Sequence, residues 1–197
     1  MFITFEGPNG VGKTTVIRAV SKRLSELGFN VLVTKEPTKS KLGNFLNKSE
    51  KFCDGKPLAC IAAADRYFHI EKKIQPALSA GKLVLSDRYV ESSMVLQRLD
   101  GCSMEFIWRL HADILIPDLS IILMANPSVL SQRLVFRGGK FSRFERSAAR
   151  AQELCFYKEA GGFLSNKGFN VLFLKNESHN VEKLAYGIVC RIQKLYR

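Results

Sequence analysis

Gly7-Pro8-Asn9-Gly10-Val11-Gly12-Lys13-Thr14 decides the fold: it fits G-x-x-x-x-G-K-[ST] and stands between an apolar run, Phe2–Phe5, and a helical pattern that opens at Lys13. Glycines are required there because backbone N–H groups must converge on phosphate oxygens. A Cβ would obstruct that approach, and the N-terminus of the following helix adds partial positive charge. Lys13 neutralises the terminal phosphates, and Thr14 offers a hydroxyl to Mg²⁺, which keeps water and phosphate oxygens for most of its shell. Gly7, Asn9, Gly10, Val11, Gly12, Lys13, Thr14 and Thr15 are therefore the candidate residues for a phosphate tail.

Outward from this loop, short β-rich apolar runs recur at Phe2–Phe5, Val31–Thr34, Leu83–Ser86, Leu119–Met124 and Val171–Leu174. Helical spacing fills most of the gaps, at Lys13–Leu27, Pro57–Ala80 with a kink at Gln75-Pro76, Met104–Ile114, Val129–Phe136, Arg146–Leu164 and Val181–Leu195. Such alternation predicts an α/β fold with a parallel sheet covered by helices on both faces, and ligands bound at the carboxyl ends of its strands. The run Leu83-Val84-Leu85-Ser86-Asp87 ends in a carboxylate, so Asp87 is the candidate second metal-side group, with Thr14 the first. Arg88 either pairs with Asp87 or grips an acceptor phosphate in a two-pronged contact, and its place after a strand favours the second role.

The chain of 197 residues carries 30 Lys and Arg against 18 Asp and Glu, a net +12, with 46% apolar residues. These values predict one packed domain, residues 1–197, and exclude disorder and low-complexity classes. Five cysteines without a C-x-x-C pair argue against a disulfide framework or a zinc ribbon and for reduced cytoplasmic thiols. The longest apolar stretch, Ile114–Met124, is interrupted by Pro117 and Asp118 and is too short for a bilayer; the first residues show no basic leader. The positive charge calls for polyanions, and two stretches hold much of it: six lysines from Lys35 to Lys56, and six basic residues from Arg133 to Arg150. No nucleic-acid-binding motif accompanies them.

Taken in order, Phe5-Glu6-Gly7, Lys35-Glu36-Pro37, Ala64-Asp65-Arg66, Asp87-Arg88-Tyr89 with Ser92-Ser93 and Gln97, and Pro117-Asp118-Leu119 resemble the thymidylate kinase family of nucleoside monophosphate kinases. Arg137-Gly138-Gly139 through Arg143-Phe144-Glu145 is similar to that family's arginine-bearing lid, expected as a mobile flap near 137–146. The resemblance implies a three-layer P-loop kinase fold with a five-stranded parallel sheet. It implies ATP and Mg²⁺, a nucleoside 5′-monophosphate as acceptor with dTMP the default, and a homodimer. By the same resemblance Arg66 looks toward the base and Arg88 toward the acceptor phosphate, Glu36 and Pro37 border the sugar, and Ser92, Ser93 and Gln97 complete the acceptor site. Lys13, Asp87, Arg88, Arg137 and Arg143 form the catalytic set.

Two positions depart from the family pattern. The family usually has a Phe four residues before the Arg of Ala64-Asp65-Arg66, stacking on thymine, where this chain has Ala62. It usually has a Tyr eight residues after Arg88, near the sugar, where this chain has Leu96. Both substitutions point to a kinase for another or modified monophosphate as the alternative within this fold, and the basic excess points to a non-catalytic nucleotide- or nucleic-acid-binding regulator as the alternative outside it. Lys39 and Lys41 approach the acceptor phosphate or belong to a solvated surface.

Overall fold

Each strand of the sheet places alternate side chains on opposite faces, and both faces are apolar enough to need cover. In the computed structural model, which describes residues 1–136, 149–177 and 180–196, five parallel strands lie in the order β2-β3-β1-β4-β5. They are β1 (Phe2–Glu6), β2 (Val31–Lys35), β3 (Leu83–Asp87), β4 (Leu119–Met124) and β5 (Val171–Lys175). Ile3, Phe5, Leu85 and Ile121 point to one face, packed with Val16, Ile17 and Val20 of α1 (Lys13–Glu26) and Ile188 and Ile192 of α9 (Val181–Tyr196). Phe2, Val84 and Ile122 point to the other, under α3 (Gly55–His69), α5 (Val90–Leu99), α6 (Met104–Leu110) and α8 (Ala149–Ser165). The remaining helices are α2 (Lys41–Ser49), α4 (Gln75–Ser79) and α7 (Pro127–Phe136).

The second face changes character toward the carboxyl ends of the strands. Thr4 pairs in register with Ser86 on one side and Ser120 on the other, and all three are fully buried. Three small hydroxyl residues abreast leave room that branched apolar side chains would fill, and the polar groups of the site occupy that room. The strands also run further than the apolar pattern predicts. β1, β2, β3 and β5 each end on a polar residue, Glu6, Lys35, Asp87 and Lys175, beyond the apolar run.

Two helices escape the pattern reading. Ser40 caps α2, its Oγ accepting from the Gly43 N–H at 3.1 Å, within the lysine-rich stretch for which no helix is predicted. α5 carries Glu91, Ser92, Ser93 and Gln97 on buried positions, so it lacks an amphipathic signature. The kink expected at Gln75-Pro76 is a π-helical turn, Ile70–Ile74, joining α3 to α4; it accommodates a proline that has no N–H to donate. The lid residues Arg137, Lys140, Arg143 and Arg146 lie outside the described residues, as does His179. Among the described residues no helix is long and apolar enough to cross a membrane.

Candidate active site

β1 enters the phosphate loop through Gly7 at φ 130°, where an added Cβ would run into the Leu123 carbonyl of β4. The loop closes on Gly12 at φ 94°, whose Cβ would lie 2.8 Å from Asn176 Nδ2. Both positions therefore admit only glycine, on backbone angle and on space. The loop is braced from behind: Asn176 Nδ2 donates to the Val11 carbonyl at 2.7 Å, and Arg133 donates to the Asn176 carbonyl at 2.8 Å. Lys13, only 7% exposed, donates its Nζ to the Gly7 and Pro8 carbonyls at 2.7 and 3.1 Å. Burial, and then the positive charge of Arg88, lower its pKa to about 7.

Thr14 Oγ1 donates to Asp87 Oδ2 at 2.9 Å, bringing the two expected metal-side groups together. A hydroxyl and a carboxylate are hard oxygen donors, and among the described residues no cluster of three or more His, Cys, Asp or Glu stands ready for a metal. That donor set fits Mg²⁺, which takes few protein ligands and completes its octahedron from water and phosphate. Arg88 follows Asp87 in a left-handed conformation, φ 79°, costing on the order of 1–3 kcal/mol for a side chain of this kind. Its N–H donates to the Phe5 carbonyl at 3.0 Å and its own carbonyl accepts from Ser86 Oγ at 2.9 Å, which holds the turn. The strained turn sends the guanidinium to Ser92 Oγ at 2.9 Å and Asn9 Oδ1 at 2.5 Å.

Two cavities meet at this guanidinium. The first, of 690 Å³, is lined by Gly10, Gly12, Lys13, Thr14 and Thr15 of the loop, with Arg133, Phe136, Asn176 and Val181 at its far end. The second, of 200 Å³, is lined by Leu46, Ala62, Arg66, Ser92, Ser93, Leu96 and Gln97. Asn9, Glu36, Pro37 and Arg88 line both. All expected loop and acceptor residues within the described chain except Gly7 and Val11 therefore line one cavity or the other; Val11 is fully buried.

Beneath the second cavity lies a buried polar network that pattern reading missed in part. Glu6 Oε1 accepts from the Tyr89 N–H at 2.5 Å and the Ser92 N–H at 3.2 Å, and its Oε2 accepts from Ser92 Oγ at 2.8 Å, tying β1 to the start of α5. Burial raises its pKa, with Arg88 opposing. Glu91, fully buried, accepts from Ser120 Oγ through Oε1, while Oε2 has no partner among the described residues; burial and then Glu6 raise its pKa to about 8. Asp65 accepts from the Thr38 N–H at 2.8 Å and Thr38 Oγ1 at 2.5 Å, fixing the chain after Pro37. Arg66 pairs with Glu36 at 2.8 Å, and Glu36 also meets His69 Nδ1 at 3.1 Å. His111 on the far side of Arg66 completes the group. The available signal was a carboxylate inside the run Val90-Glu91-Ser92-Ser93-Met94-Val95, where a purely structural helix would bury apolar residues.

A phosphate loop whose cavity shares the Arg88 guanidinium with a smaller, partly apolar one defines a P-loop phosphotransferase handling two ligands. Comparison with known proteins narrows the class. The sequence profile described as thymidylate kinase matches residues 5–182. A "Probable thymidylate kinase" of Caldivirga maquilingensis is 37% identical over 151 residues, covering 75% of this chain and 73% of the relative. A "Thymidylate kinase" of Geobacillus thermodenitrificans is 37% identical over 142 residues, 68% of this chain and 63% of the relative. A "Probable thymidylate kinase" of Pyrococcus abyssi is 32% identical over 188 residues, 90% and 91% of the two chains. The chain belongs to the thymidylate kinase family, whose members are ATP-dependent kinases.

Proposed function

We propose that the chain transfers the γ-phosphate of ATP to dTMP, giving dTDP and ADP, as one domain with a lid at 137–146. The observation that carries this reading is the shared wall: Asn9, Glu36, Pro37 and Arg88 border both cavities, so the terminal phosphates of two ligands meet there. ATP places its phosphates in the loop, and the acceptor phosphate takes the fork of Arg88. Lys13 Nζ turns from the Gly7 and Pro8 carbonyls to the phosphate oxygens and carries a full charge there. Thr14 and Asp87 would hold Mg²⁺, which supplies charge neutralisation at the β- and γ-phosphates. An acceptor phosphate oxygen attacks the γ-phosphorus in line, and no protein nucleophile takes part. Arg137 and Arg143 add positive charge from the lid, and the resemblance extends the proposal to a homodimer, read as twice the chain mass by light scattering.

The base rests on Leu46, Ala62 and Leu96, an aliphatic surface in place of an aromatic ring. The test is purified protein with ATP and Mg²⁺ against a panel of deoxy- and ribonucleoside monophosphates, following ADP. Acceptor-dependent ADP that is fastest with dTMP is expected; ADP release indifferent to any acceptor would overturn the proposal.

A further inference from the structure

Arg66 is 3% exposed, and each of its three guanidinium nitrogens is engaged within the protein. A guanidinium carries five N–H groups in a rigid fork. Nε donates to Glu36 Oε2 at 2.8 Å; NH2 donates to the Tyr89 carbonyl at 2.8 Å and meets Glu36 Oε2 at 2.8 Å. NH1 donates to Ser93 Oγ at 3.0 Å, and its second N–H faces His111 Nε2 at 2.5 Å. The histidine contact has one chemical solution. His111 Nδ1 lies 2.8 Å from the Ile107 carbonyl, which only accepts, so Nδ1 carries the ring proton. Nε2 faces a group that only donates, so it is the bare lone pair. Both neighbours demand the same neutral tautomer, and burial followed by the charge of Arg66 lowers the imidazole pKa to about 3.

On the other side of the fork, Glu36 is held by His69, which meets Thr34 Oγ1 at 2.7 Å. The line Thr34, His69, Glu36, Arg66, His111 thus runs from β2 to the residue that follows α6 and clamps the guanidinium from both ends.

We propose that His111 is a positioning residue for acceptor recognition: by accepting from Arg66 Nη1 it holds that guanidinium in place in the wall of the acceptor cavity. The inference rests on the acceptor reading of that cavity given above. Two variants separate the acceptor role of the ring from its bulk. His111→Gln keeps a carbonyl able to reach Arg66, whereas His111→Leu keeps an apolar volume and loses the acceptor. With ATP saturating, His111→Leu should raise the KM for dTMP about tenfold and narrow the preference for dTMP over dCMP. Its kcat and its KM for ATP should stay within about threefold of wild type, and His111→Gln should restore the KM for dTMP. Unchanged KM and base preference in His111→Leu, or equal loss in both variants, would overturn the proposal.

Should His111→Leu not fold, long-range ¹⁵N–¹H NMR of the wild-type protein reads the lock directly. A ring protonated at Nδ1 and unchanged from about pH 8 to about pH 5 is expected; a ring protonated at Nε2, or one that titrates in the ordinary histidine range, would overturn it. Failure of the parent reading is distinguishable, because wild type would then phosphorylate no monophosphate; active wild type with unaffected variants rejects the role of His111 alone.

Discussion

Lys13 enters the reaction as a group poised to gain a proton. Its pKa of about 7 in the folded protein means that much of the ammonium is discharged at pH 8, and phosphate oxygens beside it restore the charged form. ATP binding should therefore take up protons at pH 8, where the ATP phosphates are already fully ionised. Calorimetry in two buffers of different ionisation enthalpy checks this: apparent binding enthalpies should differ between the buffers at pH 8. Equal enthalpies at pH 8 would contradict it. Ala62 makes a second prediction at this scale. A ring at that position would stack on the base, so Ala62→Phe should lower the KM for dTMP, by up to about two powers of ten if the full 1–3 kcal/mol of a base stack is realised. Steady-state kinetics with dTMP varied decides it, and an unchanged base profile would count against the base lying on Ala62.

Among the elements, α5 carries much of the site although no helix is predicted there. Its N-terminal half is buried on all sides, and Glu91 sits there against Ser120 of β4 with a pKa raised to about 8. A carboxyl whose folded pKa exceeds its unfolded value contributes stability that is complete below about pH 4.5 and is lost as pH rises through about 8. Glu91→Gln keeps the shape and removes the titration. Its melting temperature relative to wild type should therefore climb between about pH 5 and pH 9, by a few degrees at the upper end. A constant difference across that range would show that Glu91 does not titrate in the fold.

The same helix shows where sequence reading stops. All five strands, α1 and the phosphate loop were legible, because apolar alternation and glycine spacing are local signals. Glu6, Lys35 and Asp87 fell just outside or at the edge of the apolar runs, since a strand that ends in a polar site loses its pattern where its chemistry begins. The pairing of His111 with Arg66 joins residues 45 positions apart, and no periodicity encodes such a contact. The register of Thr4 with Ser86 and Ser120, which makes room for the buried carboxylates, likewise becomes visible only once the strand order is set.

For the whole molecule, the net charge of +12 divides into functional and unassigned parts. Lys13 and Arg66 are buried and Arg88 half-buried around the two cavities, whereas Lys39, Lys41, Lys72 and Lys73 are exposed. The sheet order β2-β3-β1-β4-β5 puts the ends of β1 and β3 side by side, which brings the loop, Asp87 and Arg88 to one point from distant parts of the chain. The central claim is that two phosphorylated ligands meet across that point and exchange one phosphoryl group directly. Following the label from ATP marked with ³²P at its γ-phosphate, in the presence of Mg²⁺ and dTMP, tests it without intermediaries. Label in the β-phosphate of dTDP in amounts equal to the ADP formed is expected; label released as inorganic phosphate, with dTMP unchanged, would contradict direct transfer.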